Sequence, residues 1–201
     1  PRRMWAGGRF DFFKPVRMGD KATRVSKIES IKHKIGRSGA LCFVTVSHTV
    51  IVNGDTCLRE EHDIVYREDP KPGEPNRIPQ PSGDIATWER EIKVNPVTLF
   101  RYSALTFNGH RIHYDRIYSR QVEGYPDLVV HGPLIGTFLV DLAVQAKPGQ
   151  RLKRYSFQAL SPIFDSSVFK IKGKPVGNKI AAWAETPEGG LAIKAEAEFE
   201  C

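Results

Sequence analysis

Between Thr106 and Leu134 the chain reads TFNGHRIHYDRIYSRQVEGYPDLVVHGPL, a segment that holds three of the six histidines, His110, His113 and His131. Histidine is the side chain able to take and give a proton near neutral pH, and a positioned one contributes about 10²- to 10⁴-fold in rate. His131 stands just before Gly132 and Pro133, which open an apolar helical pattern, so the Gly132 N–H falls near the positive end of that helix. A donor there can hold a developing enolate or thioester oxygen. A proton carrier beside a backbone-donor turn is the equipment of acyl-thioester chemistry.

Asn108 lies five positions before His113, with Gly109, His110 and Arg111 between them, a pattern that reads as an irregular turn leading into a helix. Such a turn can bring the Asn108 amide and the His113 imidazole to one water molecule. Asn cannot act as a base, but it can orient a water by accepting with its carbonyl and donating with its amide. The alternative for His113 is a structural histidine packed against Tyr114 and Asp115. His110 and Arg111 can line a pocket, contact a substrate carboxylate or face solvent. His110 and His113 also have a spacing compatible with shared metal coordination, with Asp115 or His131 as third ligand, but no motif specifies these and no metal is expected. For Gly132 the alternative role is close packing of helix on sheet.

Period-two alternation predicts strands at Arg9–Phe12, Thr23–Ile31, Leu41–Val52 and Ile64–Tyr66, broken at Gly19-Asp20, Gly36 to Gly39 and Asn53-Gly54-Asp55. A Pro- and Gly-rich stretch beginning at Asp69 reads as an extended, mobile linker. Beyond it Glu91–Val94 and Thr98–Phe107 are strand candidates, followed by the histidine segment and a helix from Pro133 to Ala146, stopped by Pro148-Gly149. That helix is apolar on nearly every face except at Asp141 and Gln145, so protein must surround it. Four more strands are expected at Leu152–Leu160, Val168–Lys174, Lys179–Glu185 and Leu191–Phe199. A long buried helix wrapped by antiparallel strands is the hot-dog architecture, in the α+β class.

The 201 residues, 40% hydrophobic and 26% charged, are ordinary for a globular chain, and no apolar run approaches the roughly 20 residues that cross a bilayer. Cys42, Cys57 and Cys201 show no CxxC spacing, and their odd number argues for a reducing compartment rather than a disulfide framework. The net charge of +7 is scattered rather than gathered on one face, so no nucleic-acid partner is expected. The Arg151, Lys153 and Arg154 group alone is kept as a possible patch for a polyphosphate such as the ADP part of coenzyme A.

Residues Phe10–Lys27 and Arg154–Lys172 form a weak repeat, each reading as strand, Pro-containing turn and strand, with two further strands following. The second copy has a leading strand and helix that the first lacks, so additional residues before Pro1 are expected. A single curved sheet in one domain is the alternative arrangement.

Four stretches, FNGHRIHYD, EGYPDLVVHGPL, the early PRRMWAGG and EEHDIVYRE, together resemble the MaoC-like double-hot-dog hydratases and dehydratases. The resemblance is nearest to mesaconyl-CoA or itaconyl-CoA hydratases and mitochondrial-type 3-hydroxyacyl thioester dehydratases. It implies a first half at 1–68 that forms an acyl pocket and lacks its helix, a linker at 69–87, and a second half at 88–201 that carries the motif. The family's catalytic His falls on His113, its Asp on Asn108, its motif Asn on His110 and its oxyanion glycine on Gly132. The Asp-to-Asn departure leaves the acid/base work to His113, with His110 as a possible helper. His110, Arg111, Tyr125, His131, Arg151 and Arg154 are carried as substrate-binding candidates. The implied reaction is reversible hydration of an unsaturated acyl-CoA, with mesaconyl-C4-CoA or itaconyl-CoA giving citramalyl-CoA, no cofactor, and a homodimer or higher oligomer. The implied compartment is the cytoplasm, or the mitochondrion in a eukaryote. A fatty-acid-type 3-hydroxyacyl-CoA or acyl-carrier-protein dehydratase, a thioesterase, and a noncatalytic acyl-thioester-binding module are the alternatives.

Overall fold

The computed structural model describes residues 2–36, 39–68 and 79–200. Pro1, Arg37 and Ser38 of the second expected turn, residues 69–78 of the expected linker, and Cys201 lie outside this set. Among the described residues nine strands form one sheet in which every pairing is antiparallel: β1 (Arg2–Phe12), β2 (Ala22–Gly36), β3 (Gly39–Val52), β4 (Asp55–Arg67), β5 (Trp88–Ile92), β6 (Leu152–Ala159), β7 (Phe169–Val176), β8 (Lys179–Glu185) and β9 (Leu191–Phe199). The spatial order is β2-β3-β4-β1-β6-β9-β8-β7-β5. It repeats about the β1/β6 seam, with β1, β2, β3 and β4 matching β6, β7, β8 and β9, so the strand order follows the repeat seen in the sequence within one continuous sheet.

The two copies meet where β1 pairs with β6, and glycine makes the approach possible. A Cβ on Gly7 would stand 2.5 Å from the Phe157 carbonyl oxygen, and one on Gly8 would touch the rings of Phe10 and Phe157. The β3–β4 hairpin turns on Asn53 and Gly54, both at positive φ (52° and 84°), as a two-residue turn requires.

Helix α3 (Gly132–Gln145) lies on the second half of the sheet and buries Leu134, Ile135, Leu139 and Leu142, each worth about 2 kcal/mol. Tyr155 of β6 donates its hydroxyl to the Gly136 carbonyl at 2.6 Å. The two polar exceptions noted in the sequence, Asp141 and Gln145, both accept from Arg90 of β5. Among the described residues no helix covers the equivalent face of β1–β4, where Ile28, Ile31 and Ile35 are exposed.

Two expectations need correction. Residues Thr98–Phe107 are not a strand but most of helix α1 (Pro96–Thr106). The β-branched and aromatic residues suggested a strand, but the Asn95-Pro96 start overrides them: the Asn95 side chain accepts from the Thr98 N–H and proline occupies the first turn. The linker's described part is not a free tether. Gln80 accepts from the Leu191 N–H, the Thr87 N–H donates to Gly173, and Lys174 holds Asp84, so residues 79–87 are tied to β7 and β9.

Helix α1 ends with Phe107 in the left-handed region (φ 52°), where the Phe107 and Asn108 N–H groups donate to the Ala104 and Ser103 carbonyls. Glycine is the usual residue in this closure because it lacks the Cβ that strains the conformation. The Phe107 side chain is fully exposed and contributes no compensating burial. Phe107→Gly is therefore expected to stabilise the protein by about 1 kcal/mol, raising Tm by roughly 2–4 °C in a thermal melt. An unchanged or lower Tm would show that the ring does more than the backbone strain costs.

Candidate active site

After α1 the chain makes a 3-10 turn (Arg111–His113) and a short helix α2 (Arg116–Gln121), then runs extended from Asp127 into the start of α3. The extended stretch is pinned to its neighbours: the Val129 N–H donates to Ile112, the Val130 N–H to Ile163, and the Asp165 N–H to Leu128. These bonds fix the Val129 carbonyl, which accepts from His113 Nδ1 at 2.7 Å. A carbonyl can only accept, so Nδ1 carries the hydrogen and Nε2 keeps its lone pair. The structure thus leaves His113 one basic nitrogen.

His131 lies directly on His113, with ring centroids 3.7 Å apart and planes at 16°. Its Nε2 is 2.8 Å from Ser103 Oγ of α1, and the Tyr102 ring stands edge-on to it at 4.9 Å. His110 meets His113 edge-on at 5.7 Å. The three histidines picked out in the sequence therefore converge. Burial pushes His113 down to about 4 and His131 to about 3, so both rings are neutral at pH 7.

Asn108 uses its Oδ1 to accept from the His110 N–H at 3.1 Å. A shallow groove of about 300 Å³ runs over Phe100, Ser103, Ala104, Phe107, Asn108, Gly109 and Tyr114 and shares Ser103 and Asn108 with the cluster. Gly132 begins α3 without a positive φ, and a Cβ built on it would meet nothing within 4 Å. Neither conformation nor packing demands glycine there, so the close-packing alternative is removed, and the space at its Cβ position is open.

Other candidates sit elsewhere. Arg111 pairs with Asp115 at 2.6 Å and lies over the Tyr118 ring. Asp115, weighed as a metal ligand, also caps α2 by accepting from the Tyr118 N–H. Tyr125 packs toward Phe164. Arg151 and Arg154 follow the far end of α3, about 20 Å of helix from Gly132. Each meets an acid, Glu200 and Asp11 respectively, as Lys153 meets Glu198, so the basic group is neutralised rather than held free. A larger cavity of about 510 Å³ opens on the outer face of β2–β4 among Lys27, Glu29 and Arg59, and shares no residue with the histidine cluster.

Ser103, Tyr102 and the Val129 carbonyl were missed by sequence reasoning. Reading residues 98–107 as a helix would have placed Ser103 four positions from the buried Leu99, a polar residue on the buried face and hence a signal.

On the inner face of the first half the cross-strand row Ser26, His48, Glu60 and Phe10 carries the most polar groups. Ser26 Oγ lies 2.7 Å from His48 Nδ1, and burial pushes the Glu60 carboxyl up from its ordinary value. In the next row His62 lies tilted against the Trp5 ring at 3.9 Å, and burial holds it down to about 4.

Comparison with known proteins supports the architecture and the motif together. Residues 1–165 match the family model of hydroxyacyl-thioester dehydratase type 2. Over 204 aligned positions the chain is 44% identical to the mesaconyl-C(4)-CoA hydratase of Chloroflexus aurantiacus, covering 99% of this chain and 71% of that protein. It is 32% identical to the mitochondrial hydroxyacyl-thioester dehydratase type 2 of Schizosaccharomyces pombe, covering 61% of this chain and 41% of that protein. Among solved structures, HtdX from Mycobacterium tuberculosis superposes with a TM-score of 0.77 at 18% identity, covering 98% of this chain and 76% of that one. A MaoC-like dehydratase from Phytophthora capsici gives 0.68 at 14% identity, covering 98% and 72%. These two likenesses show the fold.

Three neutral histidines, His113 and His131 buried and His62 half-buried, make stability depend on pH. His62, His113 and His131 bind protons more weakly folded than unfolded, so the unfolded chain takes up protons first as pH falls below about 6.5. Their contribution is complete above that pH and is lost as pH falls toward 4, with up to ~1.4 kcal/mol per pH unit for each ring. Glu60, shifted upward, offsets a part near the bottom of the window. Urea unfolding between roughly pH 4.5 and 8 should show stability rising to about 6.5 and level above it; a flat profile would mean the rings are not buried neutral.

Proposed function

Since the chain belongs to the hydroxyacyl-thioester dehydratase type 2 family, we propose that it is a hydro-lyase that reversibly adds water across the double bond of an unsaturated acyl-CoA. The observation that carries this is the single free nitrogen of His113, Nε2, in a cluster that opens on the helix start at Gly132, whose Cβ position is empty. His113 Nε2 takes a proton from water as the water oxygen bonds to the β-carbon. The electron pair of the double bond moves toward the thioester, and the oxygen that gains charge is held by the Gly132 N–H at the positive end of α3. The imidazolium then holds the proton that the α-carbon needs, and its transfer completes the addition.

Asn108 orients the water in this scheme through its amide, which the His110 N–H holds in place at Oδ1. Family Asp is absent at this position, so Asn108 orients water without sharing the proton. The name of the Chloroflexus relative supports a dicarboxylic substrate such as mesaconyl-C4-CoA, and the fungal relatives keep 3-hydroxyacyl thioesters as the second reading. Residues 1–68 are proposed as the acyl pocket and 88–201 as the catalytic half, tied by the 69–87 segment. A homo-oligomer is proposed, in the cytoplasm or mitochondrion. No helix is long and apolar enough to cross a membrane among the described residues.

Loss of enoyl-thioester absorbance with mesaconyl-CoA and crotonyl-CoA, read beside thiol release, tests the reaction. His113→Ala is expected to lower kcat by about 10²- to 10⁴-fold. Hydration unchanged in that variant removes His113 as the base, and thiol release in place of hydration makes the protein a thioesterase. Gly132→Ala is expected to fold as well as the parent, since alanine suits a helix start better in stability terms, yet to lose activity about 100-fold because its methyl fills the space beside the donor. Full activity in Gly132→Ala would place the oxyanion elsewhere. Arg111→Ala raises KM for mesaconyl-CoA alone if Arg111 reads the second carboxylate; an equal effect on crotonyl-CoA ends that role.

A further inference from the structure

The Val129 bond leaves one freedom in His113 unaccounted for. A single hydrogen bond at Nδ1 tolerates some tens of degrees of bend, so by itself it leaves the ring room to tilt about its Cβ–Cγ bond, a torsion that is broad and soft. If the plane turns, Nε2 sweeps away from the water it must meet. Something else has to fix the plane.

We infer that Ser103 and His131 form a positioning pair for His113, in which Ser103 anchors the His131 ring and the flat of that ring fixes the plane of His113. The 3.7 Å, 16° stack is the contact that opposes rotation. His131 is itself clamped, by Ser103 Oγ at 2.8 Å on its rim and by the Tyr102 ring at its edge. Both members of the pair are buried, His131 to 1% exposure and Ser103 to 5%. They come from different helices, α1 and the start of α3, so the pair also sets how the turn that carries His113 sits against the donor end of α3.

A second observation separates this from ordinary packing. His131 Nδ1 is buried without a hydrogen-bond partner among the described residues. An orphaned buried polar atom gives up its hydration with no bond in return, so an apolar ring would fill the same space more stably. A histidine held there needs a role that uses its Nε2 end, and Ser103 is what that end touches.

The inference rests on the hydration reading, and the experiment keeps the two apart. Kinetics of Ser103→Ala, His131→Ala and His131→Phe are measured on crotonyl-CoA and mesaconyl-CoA. Misplacement of a catalytic group by about 1 Å costs on the order of 100-fold, so His131→Ala is expected to lose about 100-fold in kcat and Ser103→Ala about 10-fold, with KM little changed. His131→Phe keeps the flat ring but loses the nitrogen that Ser103 holds, so it is expected to recover to the level of Ser103→Ala, about 10-fold below the parent. The charged or titratable neighbours of His113 are His110 on the turn and His131, with Tyr102 behind His131. Removing the His131 ring admits water, so the acid limb of kcat/KM moves up toward the ordinary histidine range in His131→Ala and not in His131→Phe.

Two kinetic results overturn the pair: kcat within about twofold of the parent in both Ser103→Ala and His131→Ala, or equal losses in His131→Ala and His131→Phe expressed through KM, which would make His131 a substrate contact. Where His131→Ala does not fold, Ser103→Ala and His131→Phe decide on the same criteria. Long-range ¹H–¹⁵N spectra of the imidazoles need no substrate. The parent is expected to show one fixed His113 tautomer with hydrogen on Nδ1, and Ser103→Ala to show averaging. A parent inactive on every thioester would sink the hydration reading while the spectra still decide the pair, and identical spectra in both proteins would overturn it.

Discussion

The seam between β1 and β6 is the constraint on which the remaining geometry depends. Two sets of four strands become one sheet because Gly7 lets the backbones come together where a Cβ would collide with the Phe157 carbonyl, and Gly8 leaves room for the Phe157 ring, which a Cβ would crowd. Phe157 also touches α3 at Gly136, and its strand neighbour Tyr155 bonds to the carbonyl of that same glycine. The seam therefore sets the height of α3 above the sheet, and through it the place where the helix begins. Every polar group of the site is measured from that starting point: Gly132 opens the helix, His131 precedes it, and the Val129 carbonyl lies two residues earlier.

Burial shapes the chemistry as much as position. A histidine depressed to about 4 is a weak base, so it gains little driving force in taking a proton from water. What it gains is a ring with a single free nitrogen, uncharged at working pH, in a place where water is largely excluded and a backbone dipole acts at short range. On the proposed mechanism the chemistry is carried less by the strength of the base than by the stabilisation of the oxyanion, which fits a site with Asn108, an amide that cannot take a proton, beside His113.

Much of this was legible in the sequence. The strand pattern, the all-round apolar helix and the internal repeat gave the architecture because alternation and helical period are local properties. The histidine segment announced itself by composition. The α1 region was misread because its β-branched and aromatic residues favour a strand, while its helix is set by two residues at its start, Asn95 and Pro96. That misreading hid Ser103, whose importance arises only when two helices distant in sequence are brought together. The basic group near Arg151 could not be judged from sequence either, since its neutralising partners Asp11 and Glu200 come from far along the chain or from the opposite strand.

A base with one accessible nitrogen has a geometric consequence. On the proposed mechanism His113 collects and returns its proton through Nε2 alone, and with Nδ1 tied to the Val129 carbonyl the ring cannot flip to present a second edge. The oxygen of the water and the hydrogen delivered to the α-carbon then enter the double bond from one side. Such an enzyme makes the syn adduct, and its product carries the handedness of the wall on which His113 is mounted.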